Sequence, residues 1–247
     1  MFNKNAVFLG LSLILIVVLG LALIYIPKGE LHLLLCDRHT PARDIFYRYY
    51  THLAEWFPYV LCVALLLFGR IGDGVFASSA MIFSALTTQL FKHLINAPRP
   101  VSWFAEHMTD LQLPLVEGVK INHWYSFPSG HTTSFFALAF VASILATEKI
   151  LQAKPVLQHS GPTVSIANGR TAQRSYSIAV QLLLFIAAAL GGYSRIYLSQ
   201  HFALDVLAGT LVGLLITLIC YAIFYRFEEE KWYNYRILHL IQKKGDR

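Results

Sequence analysis

The chain has 247 residues, 56% of them hydrophobic and 14% charged, with 20 Lys and Arg against 14 Asp and Glu for a net charge of +6. A soluble domain of this length carries about 25% charged residues, so this composition, with a mean hydropathy of +0.52, excludes an ordinary soluble globule and points to a membrane protein. Nothing in the chain resembles a nucleic-acid module, and the basic excess reads as loops and a juxtamembrane tail that orient the protein and touch anionic lipid.

Residues 6–26 form an almost unbroken apolar run, long enough to cross a hydrocarbon core at about 20 residues per span. It follows a single Lys4 and ends without a small-residue cleavage pattern, so it reads as a retained first span. Further spans are expected at 53–68, 75–95, 132–146, 178–198 and 202–224. The second and fourth are short and need flanking residues to complete the crossing. The expected fold is therefore all-α and polytopic, with six transmembrane helices, one domain over 1–247 and both termini on one side. Residues 152–175 read as a connector. Cys36, Cys62 and Cys220 are odd in number and two lie in spans, which argues against a disulfide framework.

Lys and Arg set the orientation. With the termini cytoplasmic, the inside segments hold 12 basic residues (Lys4, Arg70, Lys149, Lys154, Arg170, Arg174 and six in the tail, from Arg226 to Arg247) and the outside segments hold 8. Three of those eight, Lys92, Arg99 and Arg195, sit where a site would need them. Termini inside is the expected topology.

Ionisable side chains near the membrane ends of helices need a partner or a purpose. Three segments carry them, and the topology puts all three on the outer face. In "KHLINAPRP", Lys92 lies in the last turn of the third span, and Arg99 stands between Pro98 and Pro100, which keep the backbone extended. In "YSFPSGHTTS", Pro128 ends the incoming loop, Ser129 caps the fourth span and His131 stands in its first turn. Unpaired N–H groups at such an end make an anion site, and Gly130 lets a ligand approach the backbone closely. In "SRIYLSQHFALD", Arg195 ends the fifth span, while His201 and Asp205 are four apart at the start of the sixth. A carboxylate at that spacing can fix one imidazole nitrogen and leave the other to attack. Each segment alone has a plainer reading: a basic anchor, a Ser-capped helix, a structural hydrogen bond. Together they supply two Arg, a Lys, two His, an Asp and backbone N–H groups, an inventory suited to a tetrahedral phosphate.

These residues resemble, in order and spacing, the signature of the type 2 phosphatidic acid phosphatase superfamily, which also includes bacterial acid phosphatases and vanadium haloperoxidases. The likeness rests on Lys92 with Arg99 and Pro100, the run Pro128 to His131, and Ser194 and Arg195 with His201 and Asp205. Its core covers 92–205, and the six-span layout extends it over nearly the whole chain. The resemblance implies His201 as nucleophile through a phosphohistidine, Asp205 orienting it, and His131 as the acid for the leaving group. It implies Lys92, Arg99, Ser129, Gly130 and Arg195 as the binders of the phosphate oxygens. No metal and no cofactor is expected, since the cations take the place of Mg²⁺.

The expected substrate is a membrane lipid phosphate, with the bilayer as the only other partner and no nucleic acid or obligate protein partner. The compact six-span form looks bacterial, which implies the inner membrane with the site facing the periplasm. Lipid A phosphates and undecaprenyl pyrophosphate rank equally as substrates, ahead of phosphatidylglycerophosphate and phosphatidate, on family analogy alone. Trp103, Phe104, Trp124 and Tyr125 in the 96–127 loop are interfacial aromatics, either anchors or substrate contacts. The competing readings are a haloperoxidase-like enzyme holding vanadate and a non-catalytic lipid-phosphate binder or transporter. The second would need ionisable residues deep in the spans, whereas here they cluster at one end.

Overall fold

The structure is a computed structural model that describes residues 1–36, 38–111, 113–153 and 162–238, the side chains of 162–168 excepted. Among the described residues all regular structure is helical: α1 (Ala6–Tyr25), α2 (Lys28–Cys36), α3 (Pro41–Tyr50), α4 (Leu53–Phe68), α5 (Ile71–Ile95), α6 (Pro100–His107), α7 (Gly130–Gln152), α8 (Pro162–Tyr197) and α9 (Ala203–Phe224). Six segments are long and apolar enough to span a membrane. The two that looked short are completed by neighbours. A single turn joins α3 to α4, so that 41–68 form one candidate span, and α7 runs to Gln152. The expected connector 152–175 is instead helical from Pro162 onward, because α8 extends well past its apolar part. Lys154, Lys243, Lys244 and Arg247, counted in the charge bias, lie outside the described residues.

The distribution of side chains is that of a protein solvated by hydrocarbon. Leu13, Ile14, Val17 and Val18 of α1, Ile82, Phe83 and Leu86 of α5, and Leu215 and Ile219 of α9 all face outward. Inside, small and polar residues join the helices, because lipid tails give apolar helix faces no reason to associate. Gln181 Oε1 accepts from the Phe8 amide at 3.2 Å, while its Nε2 donates to Lys4 O at 2.8 Å and Ser177 Oγ at 3.0 Å. Those bonds pin the start of α1, whose first amides have no helical partner.

The central helix is α7, which packs on α4, α5, α8 and α9 through Phe136, Phe140, Val141 and Ile144. Its crossing with α9 is backbone against backbone. A Cβ at Gly209 would lie 2.6 Å from Ser129 O, and one at Gly213 would lie 2.7 Å from Thr133 O. This small-xxx-small spacing lets the two N-termini meet, and there Ser129 N donates to Asp205 O at 2.9 Å. α2, α3, α6 and residues 113–127 lie at that same end, through His32 on Ser199, Asp44 on Tyr197, Phe104 on Phe202 and Ser126 on Asp205. Local signals explain α3: Thr40 Oγ1 accepts from Arg43 N, and Pro41 occupies the first turn.

Candidate active site

Lys92 ends α5, and its Nζ donates to Tyr125 O at 2.9 Å. Asn96 closes that helix in the left-handed region with φ 44°, which turns the chain toward Arg99. The Pro–Arg–Pro unit does hold Arg99 extended, at φ −81° and ψ 166°. Its guanidinium is buried rather than merely presented: Nε donates to Trp124 O at 2.9 Å, and Nη1 donates to Gln200 Oε1 at 3.1 Å. Arg195, in the last turn of α8, donates from Nη1 to Thr51 Oγ1 at 2.6 Å, while its buried Nε has no hydrogen-bond partner. An unsatisfied guanidinium N–H is costly unless a ligand takes it up.

Ser129 caps α7 as expected, accepting from Thr132 N at 3.4 Å and Thr132 Oγ1 at 2.8 Å. It is fully buried and is not part of the cavity wall. Gly130 and His131, one and two residues on, do line the cavity. The position expected to bind oxygens with its hydroxyl therefore braces the helix start behind the residues that face the space.

His201 lies just before α9, not within it, because Phe202 is the N-cap and Asp205 Oδ2 reaches back to Phe202 N at 2.9 Å. The direct distance from His201 Nδ1 to Asp205 Oδ2 is 3.5 Å, too long for a strong hydrogen bond. Ser126 bridges the gap. Its hydroxyl donates to Asp205 Oδ2 at 2.5 Å and stands 3.4 Å from His201 Nδ1. With Nδ1 turned to this pair, Nε2 is the nitrogen left for the cavity, whose wall includes the His201 ring. Burial, reinforced by the positive charges of Arg99, Arg195 and Lys92, holds the His201 pKa well below its ordinary 6.5. The ring is neutral near pH 7, as a nucleophile must be.

The cavity measures about 310 Å³. It gathers Lys92, Arg99, Gly130, His131, Arg195 and His201, drawn from three helices and the turns before α6 and α9, and adds Thr88, Gln89, Asn122 and Tyr59. Asp205 and Ser129 stand one layer behind. Sequence reasoning missed Ser126, Thr51, Gln200 and Glu55. Glu55 Oε1 lies 3.2 Å from His131 Nε2. Ser126 and Gln200 had a faint signal, adjacent as they are to the Pro-Ser-Gly-His corner and to His201; Thr51 and Glu55 carried none. Of the loop aromatics, Phe104 is buried, and Trp103 stacks on His107 and lies beneath Lys28. Trp124 and Tyr125 are exposed. Among the described residues no group of three His, Cys, Asp or Glu side chains is arranged to hold a metal.

Residues 73–229 match the family model described as the PAP2 superfamily. Among curated proteins the chain is 34% identical over 131 residues to lipid phosphate phosphatase 1 of Arabidopsis thaliana; the match covers 51% of this chain but only 34% of that protein's length. Among solved structures it is similar to Aquifex aeolicus LpxE, at 27% identity with a TM-score of 0.53, covering 78% of this chain and 93% of that one. It also shares a fold with a transmembrane PAP2 type phosphatidylglycerolphosphate phosphatase from Bacillus subtilis, at 18% identity with a TM-score of 0.50 over 94% of this chain and 100% of that one. The matched stretch takes in well over half the chain and every residue from Lys92 to Asp205, and on that ground the protein belongs to the PAP2 superfamily.

Proposed function

We propose that the protein is an integral-membrane lipid phosphatase that removes a phosphate or pyrophosphate group from a lipid headgroup through a phosphohistidine. The observation that carries this reading is one cavity in which a neutral, buried His201 faces Lys92, Arg99 and Arg195. His201 Nε2 attacks phosphorus, its Nδ1 proton held toward Ser126 and Asp205. The bond from phosphorus to the lipid oxygen breaks, and His131 donates a proton to that oxygen. Water then attacks the phosphohistidine, His131 takes up its proton, and inorganic phosphate leaves as His201 is regenerated. Two assisted displacements replace one poor attack by water. The cations and the Gly130 amide stabilise the phosphoryl oxygens while charge shifts between them, the main task in phosphoryl transfer. Ser129 contributes by fixing the helix start that aims that amide.

A cavity of about 310 Å³ lies at the small end of ligand pockets. It accommodates a phosphorylated headgroup and leaves the acyl or prenyl chains in the bilayer. Tyr59 of α4 and Ala85 and Gln89 of α5, all exposed on the outside of the bundle, line one side of it. The whole chain acts as one domain in a bacterial inner membrane, with termini cytoplasmic and the cavity opening to the periplasm. Substrates of this chemistry are lipid A phosphates, undecaprenyl pyrophosphate, phosphatidylglycerophosphate and phosphatidate.

The test is phosphate release in detergent with excess EDTA, by wild type and His201→Ala, across those four lipids. EDTA-resistant release that vanishes in the mutant is expected, and the fastest lipid names the substrate. No release from any lipid, with both proteins binding lipid alike, would leave a phosphate-binding membrane protein instead.

A further inference from the structure

Resting on the phosphatase reading, we infer that Glu55 is a positioning residue for the leaving-group acid: its carboxylate orients the His131 ring for proton transfer to the departing lipid oxygen. Glu55 stands in the first turn of α4. Its Oε1 lies 3.2 Å from His131 Nε2, and its Oε2 lies 3.0 Å from His52 Nδ1. The two imidazoles thus grip one carboxylate from either side. The same short turn sends Thr51 to Arg195 and Ala54 to the cavity wall. The link between α3 and α4 is therefore built around the site, although nothing in its sequence belongs to the superfamily signature.

A carboxylate beside a phosphate pocket, half exposed and in contact with a residue of its wall, needs a reason, because it repels the substrate. Glu55 has one only if its charge serves something other than the anion. Among the described ion pairs it contacts His131 and His52 and neither Arg99 nor Arg195, so the cations stay available to phosphate. The acid has to carry a proton before the lipid–oxygen bond breaks, in surroundings that oppose it. Arg195 faces His131 from α8, His201 faces it from the turn before α9, and Lys92 of α5 lines the same space. An accepting carboxylate favours the charged ring through both hydrogen bond and Coulomb attraction. It also occupies Nε2 and leaves Nδ1 for the leaving oxygen. His52, about half exposed, fixes the carboxylate from the solvent side.

The role is separable from mere support of the fold by the leaving group. An alkyl oxygen needs a proton as it departs, whereas 4-nitrophenolate leaves unaided. Glu55→Gln keeps the shape and one acceptor oxygen but loses the charge. On dihexanoyl phosphatidate its kcat is expected to fall by about tenfold or more, a fraction of the usual worth of a general acid, with KM little changed. On 4-nitrophenyl phosphate kcat/KM, which ends at departure of the nitrophenolate and leaves out the shared attack of water, should stay within about twofold of wild type, while kcat/KM on the alkyl ester falls with its kcat. The alkaline limb of kcat for the alkyl ester should move to lower pH, since His131 gives up its proton more easily without the carboxylate. Equal losses on both esters, no loss on the alkyl ester, or an unmoved alkaline limb would each overturn the inference. No phosphate release by the wild type from these esters or from any of the four lipids named above would overturn the phosphatase reading itself, and this one with it.

Discussion

The crossing of α7 and α9 at Gly209 sets the distance between the two halves of the site, and adding one carbon there should show it. In Gly209→Ala the new Cβ would meet Ser129 O at 2.6 Å and Thr132 Cβ at 3.1 Å. Comfortable contacts between carbon atoms lie at about 3.5–4.0 Å, so the helices must part by roughly half an ångström or more. The neighbours are helix backbone and a buried Thr, neither of which swings aside. Ser129 N to Asp205 O, now 2.9 Å, is the bond that stretches first. That moves His201 and Asp205 on one side away from Gly130 and His131 on the other. Overpacking of this kind costs about 1–3 kcal/mol, and a displacement near 1 Å at reacting groups costs about a hundredfold in rate. Gly213→Ala meets an equally close carbonyl, at 2.7 Å, but one helical turn further from the chemistry. Both variants should melt earlier in detergent by similar amounts, whereas kcat should fall far more for Gly209→Ala. Wild-type kcat in Gly209→Ala, or equal losses in the two variants, would refute the idea that this contact positions the site.

Two further outcomes follow from the layer around the site. In Ser126→Ala, His201 Nδ1 and Asp205 keep only their 3.5 Å separation. Loss of a hydrogen bond to a charged group, about 1.5–3 kcal/mol, should lower kcat by about tenfold or more with KM nearly unchanged, and a kcat equal to wild type would show that Asp205 acts without the bridge. His32 is fully buried on α2 beside Ser199, and burial brings its pKa down from 6.5 to about 4. A lowered histidine binds its proton less readily in the folded state, so its contribution to stability is intact above 6.5 and is lost as pH falls toward the folded value. At about 1.4 kcal/mol per unit, the loss reaches about 2 kcal/mol by pH 5. Melting temperatures in detergent should fall between pH 7 and pH 5, and more gently in His32→Asn; an identical slope in the variant would remove His32 from the account.

The sequence by itself determined what local chemistry can encode. Apolar runs announced the six spans, because a chain in hydrocarbon must satisfy its backbone within each helix. Pro98 and Pro100 stiffened the backbone around Arg99, and Ser129 capped α7, since prolines and N-caps act on their own neighbours. The signature also named Lys92, Gly130, His131, Arg195 and His201, which the structure brings to one cavity. Only the tertiary structure decided what faces what. Ser129 turns inward because α9 presses Gly209 against the start of α7. Asp205 reaches His201 mainly through Ser126, which is 79 residues away in the chain. Glu55 meets His131 across 76 residues, and Thr51 meets Arg195 across 144. Such partners leave no period or spacing in the sequence, because closeness across a bundle depends on how far apart its helices pack. Here two glycines on α9 set that distance.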